Sequence, residues 1–351
     1  MNAMRLAVFS LAVGLLASVM AADRKGGSSA WTSISPAEAG YDAVKLAKVP
    51  EFIRKNAGTT GLMVVVGGRV LFEYGDVKEV SYIASCRKSV LAMLYGIADG
   101  RGRIDLKKTV GDLGIDDIGG LLPLERTATV EDLLTARSGV YHAAANAGGI
   151  TPDKAPKRGT VKPGTRFAYN NWDFNAAGTA FEMMTGTGIY EAFARDLVRP
   201  LGLQDYDPKR HVKTGDATKS RHLAYHFHLS TRDMARLGEL MLRQGRWDGE
   251  ELISADWIKR SVTAYSRNPD GFGYGYLWWI WPEGTVHPEA YRGAFSAQGK
   301  YGQFITILPA LDMVVAHKSA RNAKGPTKKE TYRQILDLII AARTTGKNGG
   351  I

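Results

Sequence analysis

Ser85 and Lys88 stand three residues apart where a polar, strand-like segment gives way to the apolar run Val90, Leu91, Met93, Leu94 and Ile97. On a helix, positions i and i+3 share a face, so a hydroxyl and an amine at this spacing can converge. A serine attacks a carbonyl only when a base takes its proton, and a lysine serves as that base once burial or a cationic neighbour lowers its pKa. The first turn of the same helix offers unpaired N–H groups and a positive dipole end to a developing oxyanion. Cys86, the only cysteine, sits beside the serine. It reads as a small buried residue rather than a second nucleophile, and a chain with one thiol forms no internal disulfide.

Two further groups fall into line with Ser85. Tyr169 and Asn171 lie on a turn after Pro163-Gly164, where their side chains can point into a cleft. Gly293 to Gln303 is glycine-rich and precedes a late strand, so a backbone N–H there can supply a second oxyanion donor. His222, His226 and His228 invite a metal reading, but His226-Phe227-His228 alternates as an extended segment, and no cysteine or nearby carboxylate completes a ligand set. Local hydrogen bonding is the better reading, and no metal or cofactor is called for. The tryptophans Trp278, Trp279 and Trp281 read mainly as core.

The elements that must position these groups follow from periodicity. Residues 41–57 have helical spacing with Pro50 expected to break or kink the helix. Leu62–Val66 and Arg69–Tyr74 form a hairpin about Gly67-Gly68. The helix bearing Ser85 ends near Gly100, and Thr129 caps a short helix. Residues 141–164 form a loop long enough to shape a site, with Tyr141 and His142 as candidate substrate contacts. A helix begins near Asp173, and others fit 189–198, 231–244 and 254–261. Strands are expected at 274–281, 302–309 and 313–317, with a closing helix around Tyr332, Ile335 and Ile339. Strands from both ends can pair into one antiparallel sheet. The expected class is therefore α+β, an antiparallel sheet flanked by helices (about 41–80 and 265–345) with a mostly helical part inserted (about 81–264).

The N-terminus reads as a secretory signal over residues 1–21: a basic start, an apolar stretch from Leu6 to Met20, and small side chains before Ala22. It is short for a membrane anchor. Residues 22–40 are expected to be a flexible lead-in and 41–345 a single catalytic domain, exported to the bacterial periplasm or beyond. The formal charge is +11, spread along the chain without a basic helix or aromatic-basic interleaving, which argues against nucleic acid as a partner. No stable membrane insertion is expected after cleavage.

Taken together, Ser85-Cys86-Arg87-Lys88 and Tyr169-Asn170-Asn171 resemble the Ser-x-x-Lys and Tyr-x-Asn motifs of the serine β-lactamase and penicillin-binding-protein superfamily. The chain looks closest to the class C-type branch, with its esterases, D-amino-peptidases and 6-aminohexanoate-dimer-type hydrolases. The resemblance runs from about Tyr41 to Arg343 and includes Leu133 to Gly139 and Leu229 to Ala235. It implies a β-lactamase/transpeptidase-like fold and acyl transfer through Ser85, with Lys88 and Tyr169 sharing the proton work. Asn171 would orient Lys88 and the substrate, and the N–H groups of Ser85 and Ala297 would hold the oxyanion. Tyr169, beside a cationic Lys88, is expected to have a lowered pKa. The family's third motif is Lys-Thr/Ser-Gly or His/Trp-x-Gly. Here either Ala297-Gln298-Gly299 or Ala294-Phe295-Ser296 fills the slot, and neither begins with a cation. A neutral slot fits a small-molecule or peptide-like ester or amide better than a β-lactam or D-Ala-D-Ala substrate, with Gln298 and Gly299 as substrate contacts. The rival reading is a non-catalytic module of the same fold that binds an envelope ligand.

Overall fold

The computed structural model describes residues 30–344 apart from 147, 151–153, 283–285 and 321–324, so the signal expected at 1–21 lies outside the described residues. Among them no helix is long and apolar enough to cross a membrane.

An eight-stranded antiparallel sheet forms the body of the molecule. Its strands are β1 (Thr59–Val66), β2 (Arg69–Gly75), β3 (Ser266–Arg267), β4 (Gly273–Tyr274), β5 (Trp279–Ile280), β6 (Phe295–Gly299), β7 (Gln303–Leu308) and β8 (Met313–Ser319), in the order β2-β1-β8-β7-β6-β5-β4-β3. β1 and β8, far apart in sequence, are neighbours, with Val64 opposite Val315. Their near-continuous apolar runs follow from burial on both faces. Met63, Val65, Val314 and Ala316 pack into one core and Leu62, Val64, Met313 and Val315 into the other, since successive side chains alternate across a strand.

The second core is closed by α1 (Lys48–Asn56) and α5 (Lys329–Ala341), the first by α2 (Cys86–Gly100), α3 (Asn171–Thr185) and α4 (Thr231–Leu242). α2 is buried from Cys86 to Ala98, on every face, and is apolar all round from Val90 to Ala98. Each large aliphatic side chain sealed in this way contributes roughly 1.5–3 kcal/mol. A β-carbon at Gly96 would stand 2.4 Å from the Trp257 ring, so the middle of the helix packs at glycine distance.

Several local expectations change. The break before α1 comes at Ala47, and Pro50 sits in the first turn, where its missing N–H costs nothing. The strand expected over 274–281 is two short strands, because Leu277 turns with φ +62° and its N–H bonds the carbonyls of Leu134 and Gly275. β6 is a strand that composition hid: its glycine and glutamine read as loop, yet Phe295 to Gly299 pair in full with β7. Residues 31–34, expected to be flexible, cover the outer edge of β2. There Ile34 N–H bonds Val70 O at 2.9 Å and Val70 N–H bonds Thr32 O at 2.8 Å, satisfying an otherwise open strand edge.

Replacing Gly96 by Ala is expected to cost about 1–3 kcal/mol by overpacking α2 against Trp257. A urea unfolding midpoint unchanged from wild type would show that Trp257 yields freely.

Candidate active site

The site is built where α2 begins. Ala84 holds φ +49°, a left-handed conformation that costs a non-glycine residue on the order of 1–2 kcal/mol. That kink turns the chain from β-like backbone into α2 and leaves Ser85 partly exposed at the helix head, with Ala84 and Cys86 buried on either side. One turn on, Lys88 is 1% exposed, and its Nζ is within hydrogen-bond distance of Ser85 Oγ at 3.0 Å, Tyr169 Oη at 2.6 Å and Asn171 Oδ1 at 2.9 Å. Nζ also lies 4.2 Å from the centres of the Tyr169 and Phe174 rings.

Among the described residues no ion pair joins Lys88 to a carboxylate. Burial, then the adjacent Arg87 guanidinium, drive its amine well below the usual lysine value. A neutral amine donates two hydrogen bonds and accepts one. Asn171 Oδ1 can only accept, so one donation goes there, and either Ser85 or Tyr169 must present its own O–H to the lone pair. That is the geometry of a base poised on a hydroxyl.

Tyr169 departs from expectation. Its phenol is pushed up to about 12 by burial, with a hydrogen bond from Ser85 pulling the other way. The lowered pKa expected beside a cation does not arise, because Lys88, buried beside Arg87, is not held as that cation. Tyr169 therefore stays a neutral proton donor. Asn171 is the first residue of α3, capped by Asn170, whose side chain accepts from Asp173 N–H at 3.0 Å.

The Ser85 hydroxyl opens into a cleft of about 740 Å³. One wall is β6. Gln298 and Gly299 line the cleft together with Lys300, while Phe295 packs on Trp278 in the core. Of the two registers left open by the sequence, Ala297-Gln298-Gly299 is the one that reaches the site. A β-carbon on Gly299 would lie 2.6 Å from Ile83 O and 3.2 Å from Ala84 Cβ, so only glycine lets the strand close on the nucleophile turn. Ala297 itself is fully buried and does not line the cleft, which corrects its expected place at the oxyanion. The stretch that lines the cleft with Ser85 is Gln298 to Lys300.

The loop after Gly139 also contributes, through different residues from those expected. Tyr141 and His142 do not line the cleft. The His142 ring is engaged with the carbonyls of Ala143 and Ile118, at 2.8 Å each, and turned toward Asp117. Instead Asn146, Gly148 and Gly149 form the wall. Gly149, with φ +89°, has no room for a β-carbon, which would sit 2.1 Å from Tyr169 O, and Ile150 N–H bonds that same oxygen at 2.7 Å. The glycine pair in the sequence was the available signal. Tyr82 and Arg87, also in the wall, carried none, because their neighbours in space come from distant segments.

His222, His226 and His228 do not line the cleft. His222 Nδ1 meets Thr179 Oγ1 and His226 Nδ1 meets Tyr82 Oη, both at 3.0 Å, and His226 and His228 sit on short strands. Trp278 and Trp281 are core, but Trp279 lines the cleft with its ring centre 5.4 Å from that of Tyr169. Burial pushes the Cys86 thiol up and its Sγ donates to Gln303 O, so it is inert as a nucleophile.

The Beta-lactamase family model matches residues 47–339. The chain belongs to the Beta-lactamase family. Solved structures of similar fold include a proposed 6-aminohexanoate-dimer hydrolase from Bacillus anthracis, at 19% identity over 89% of this chain and 86% of that one, TM-score 0.65. A class C beta-lactamase aligns at 14% identity over 88% and 97%, TM-score 0.64. EstCE1, a hydrolase with promiscuous acyltransferase activity, aligns at 14% over 85% and 98%, TM-score 0.59. No curated protein sequence matches the chain significantly. Identities this low speak to the fold, and the family's β-lactamase/transpeptidase-like architecture is the one described above.

Two expectations follow from the titrating groups. If Lys88 is the base, kcat/KM rises with pH through its depressed pKa, well below 10.5. Lys88→Arg, which puts a permanent cation there that cannot release its proton, then loses about 10²–10⁴-fold above that pKa. An unchanged pH–rate profile in Lys88→Arg would remove Lys88 from the proton path. Asp173, fully buried, is pushed up to about 8 by that burial against hydrogen bonds from Ser138 and Asn170. The folded chain keeps this proton while the unfolded chain releases it near 3.9. The group's contribution is therefore complete below about pH 4 and lost as pH rises toward 8. Asp173→Asn is expected to gain on wild type by roughly 2 kcal/mol or more between pH 5 and pH 9 in urea unfolding. A constant difference at the two pH values would mean that Asp173 is charged when folded.

Proposed function

We propose that this chain is an exported serine hydrolase that cleaves an ester or amide through an acyl-enzyme on Ser85. The observation that carries the reading is the 3.0 Å contact between Ser85 Oγ and the amine of a buried lysine that no carboxylate neutralises among the described residues. In the first step Ser85 Oγ attacks the carbonyl carbon while neutral Lys88 takes the hydroxyl proton. The carbonyl oxygen becomes an oxyanion held by the Ser85 N–H at the head of α2 and by backbone N–H from the Gln298–Lys300 stretch. Tyr169, which holds its proton to about pH 12, passes it to the leaving group and recovers one from Lys88 at 2.6 Å. Asn171 fixes the amine through its carbonyl oxygen. Water then enters by the same route and releases the acid. No step calls for a metal or a cofactor.

Export rests on the leader read at residues 1–21. Ester or amide chemistry, rather than β-lactam or D-Ala-D-Ala turnover, is favoured by the uncharged Ala297-Gln298-Gly299. β-Lactamase and carboxypeptidase activity are the alternatives within the enzyme reading. A non-catalytic envelope-binding module is the alternative outside it, and the complete Ser85, Lys88 and Tyr169 set weighs against that module.

A fluorophosphonate probe is expected to add one label to the mature protein and none to Ser85→Ala, whose p-nitrophenyl acetate turnover falls by at least about 10³-fold. Nitrocefin turnover should be slow. Fast nitrocefin hydrolysis would favour the β-lactamase alternative, and a folded wild type that neither labels nor turns over would leave the binding module.

A further inference from the structure

Trp279 reaches the cleft while Trp278 and Trp281 stay in the core, and the acyl-transfer steps above give it no task. It is half-buried on β5, opposite Ser296 of β6. Gln298, two residues on from Ser296, also lines the cleft, so Trp279 and Gln298 stand on one face of the sheet. The indole is held by Tyr274, Phe272 and Phe167, whose ring centres lie 4.9, 6.4 and 6.4 Å from its own. Phe174, Tyr274 and Trp279 all pack on the Tyr169 ring, and of these three Trp279 is the one that lines the cleft.

That contact puts Trp279 on one side of the reaction. Tyr169, in the mechanism proposed above, gives its proton to the leaving group, so the departing alcohol or amine lies against Tyr169 and next to the indole. Gly148 and Gly149, close to Asn171 and Tyr169, bring no side chain into that space. A partly exposed indole face takes either a cation or a flat ring. The charges of the cleft decide between them. Arg87, Lys300, Lys328 and Lys329 line it, and no Asp or Glu does among the described residues. Lys329 Nζ, paired with Asp270 at 3.0 Å, already lies 6.0 Å from the Trp279 ring centre. A cationic leaving group is repelled there, and a neutral ring is not. We propose that Trp279 is the leaving-group platform of this cleft and that the substrate is an ester or amide of an uncharged, aryl-bearing alcohol or amine, whose ring stacks on the indole while Ser85 attacks the carbonyl. Turnover of that substrate rests on the hydrolase reading above; stacking of the free alcohol does not.

The platform acts on one half of the reaction. The ring departs with the first product, so hydrolysis of a common acetyl-enzyme does not sense Trp279. Its effect falls on kcat/KM, and kcat is insensitive to it wherever release of the acyl group is the slow step. A purely structural tryptophan would move both.

The test compares 2-phenylethyl acetate with 2-cyclohexylethyl acetate, which share an acyl group and leave as alcohols of similar acidity. Wild type should prefer the aryl ester by about three- to tenfold in kcat/KM, the size of one aromatic stacking contact, although the cyclohexyl ring is the more apolar. In Trp279→Leu, apolar but without a π face, the preference should vanish. Should Trp279→Leu fail to fold, Trp279→Tyr is expected to keep only part of it. Ethyl 3-phenylpropanoate and ethyl 3-cyclohexylpropanoate carry the same rings on the acyl side and should show no preference that depends on Trp279. Equal kcat/KM for the two acetates in wild type, or an unchanged ratio in Trp279→Leu, overturns the proposal. So does a Trp279-dependent preference confined to the propanoates. Acetylcholine turned over ahead of 2-phenylethyl acetate would give the indole to a cation and overturn the uncharged class. Independently of turnover, 2-phenylethanol should change the tryptophan emission of Ser85→Ala saturably and not that of Ser85→Ala/Trp279→Leu. That emission change without hydrolysis in wild type would keep the platform and sink the hydrolase instead.

Discussion

Everything near the nucleophile depends on keeping an amine neutral inside the protein. Lys88 is sealed by helix and aromatic rings, faces another cation one residue away, and among the described residues meets only neutral oxygens. Supplying a carboxylate would stabilise the charged form and destroy the base. The fold accepts an unpaired buried lysine because three oxygens satisfy it as an amine. The same burial keeps Tyr169 protonated, so in the proposed mechanism one group of the pair takes a proton and the other gives it.

The precision of that arrangement comes from close backbone approach. Ala84 is bent into a left-handed turn, β6 closes on that turn through Gly299, and the Gly148-Gly149 wall closes on Tyr169 from the other side. Each contact lies within the span of a single β-carbon. The catalytic side chains are set by the absence of side chains around them, which ties local strain at Ala84 to a packed and rigid surround.

Much of this was legible in the sequence. Hydrophobic periodicity located α2, α4, α5 and the β1–β2 hairpin, and residue chemistry singled out Ser85, Lys88, Tyr169 and Asn171. What escaped did so for physical reasons. β6 is poor in the β-branched residues that mark strands, since its role is to pass close to the nucleophile and not to fill a core. Tyr141 and His142 looked like contacts because polar aromatics in long loops often are, whereas small residues a few positions on made the wall. The state of Tyr169 could not be read without knowing that Lys88 has no counter-ion among the described residues, which is a property of three-dimensional neighbours.

The sheet topology has a further consequence, for timing. β1 needs β8 at its side, and the wall facing Ser85 comes from β6, so the nucleophile helix is made long before the surfaces that complete it. Contacts of such long sequence separation form late, after the cost of closing a very large loop has been met. A chain still emerging from the ribosome holds Ser85 and Lys88 but neither the burial that neutralises the amine nor the strand that binds the oxyanion. On the proposed mechanism, reactivity is thereby postponed until the last strands have joined.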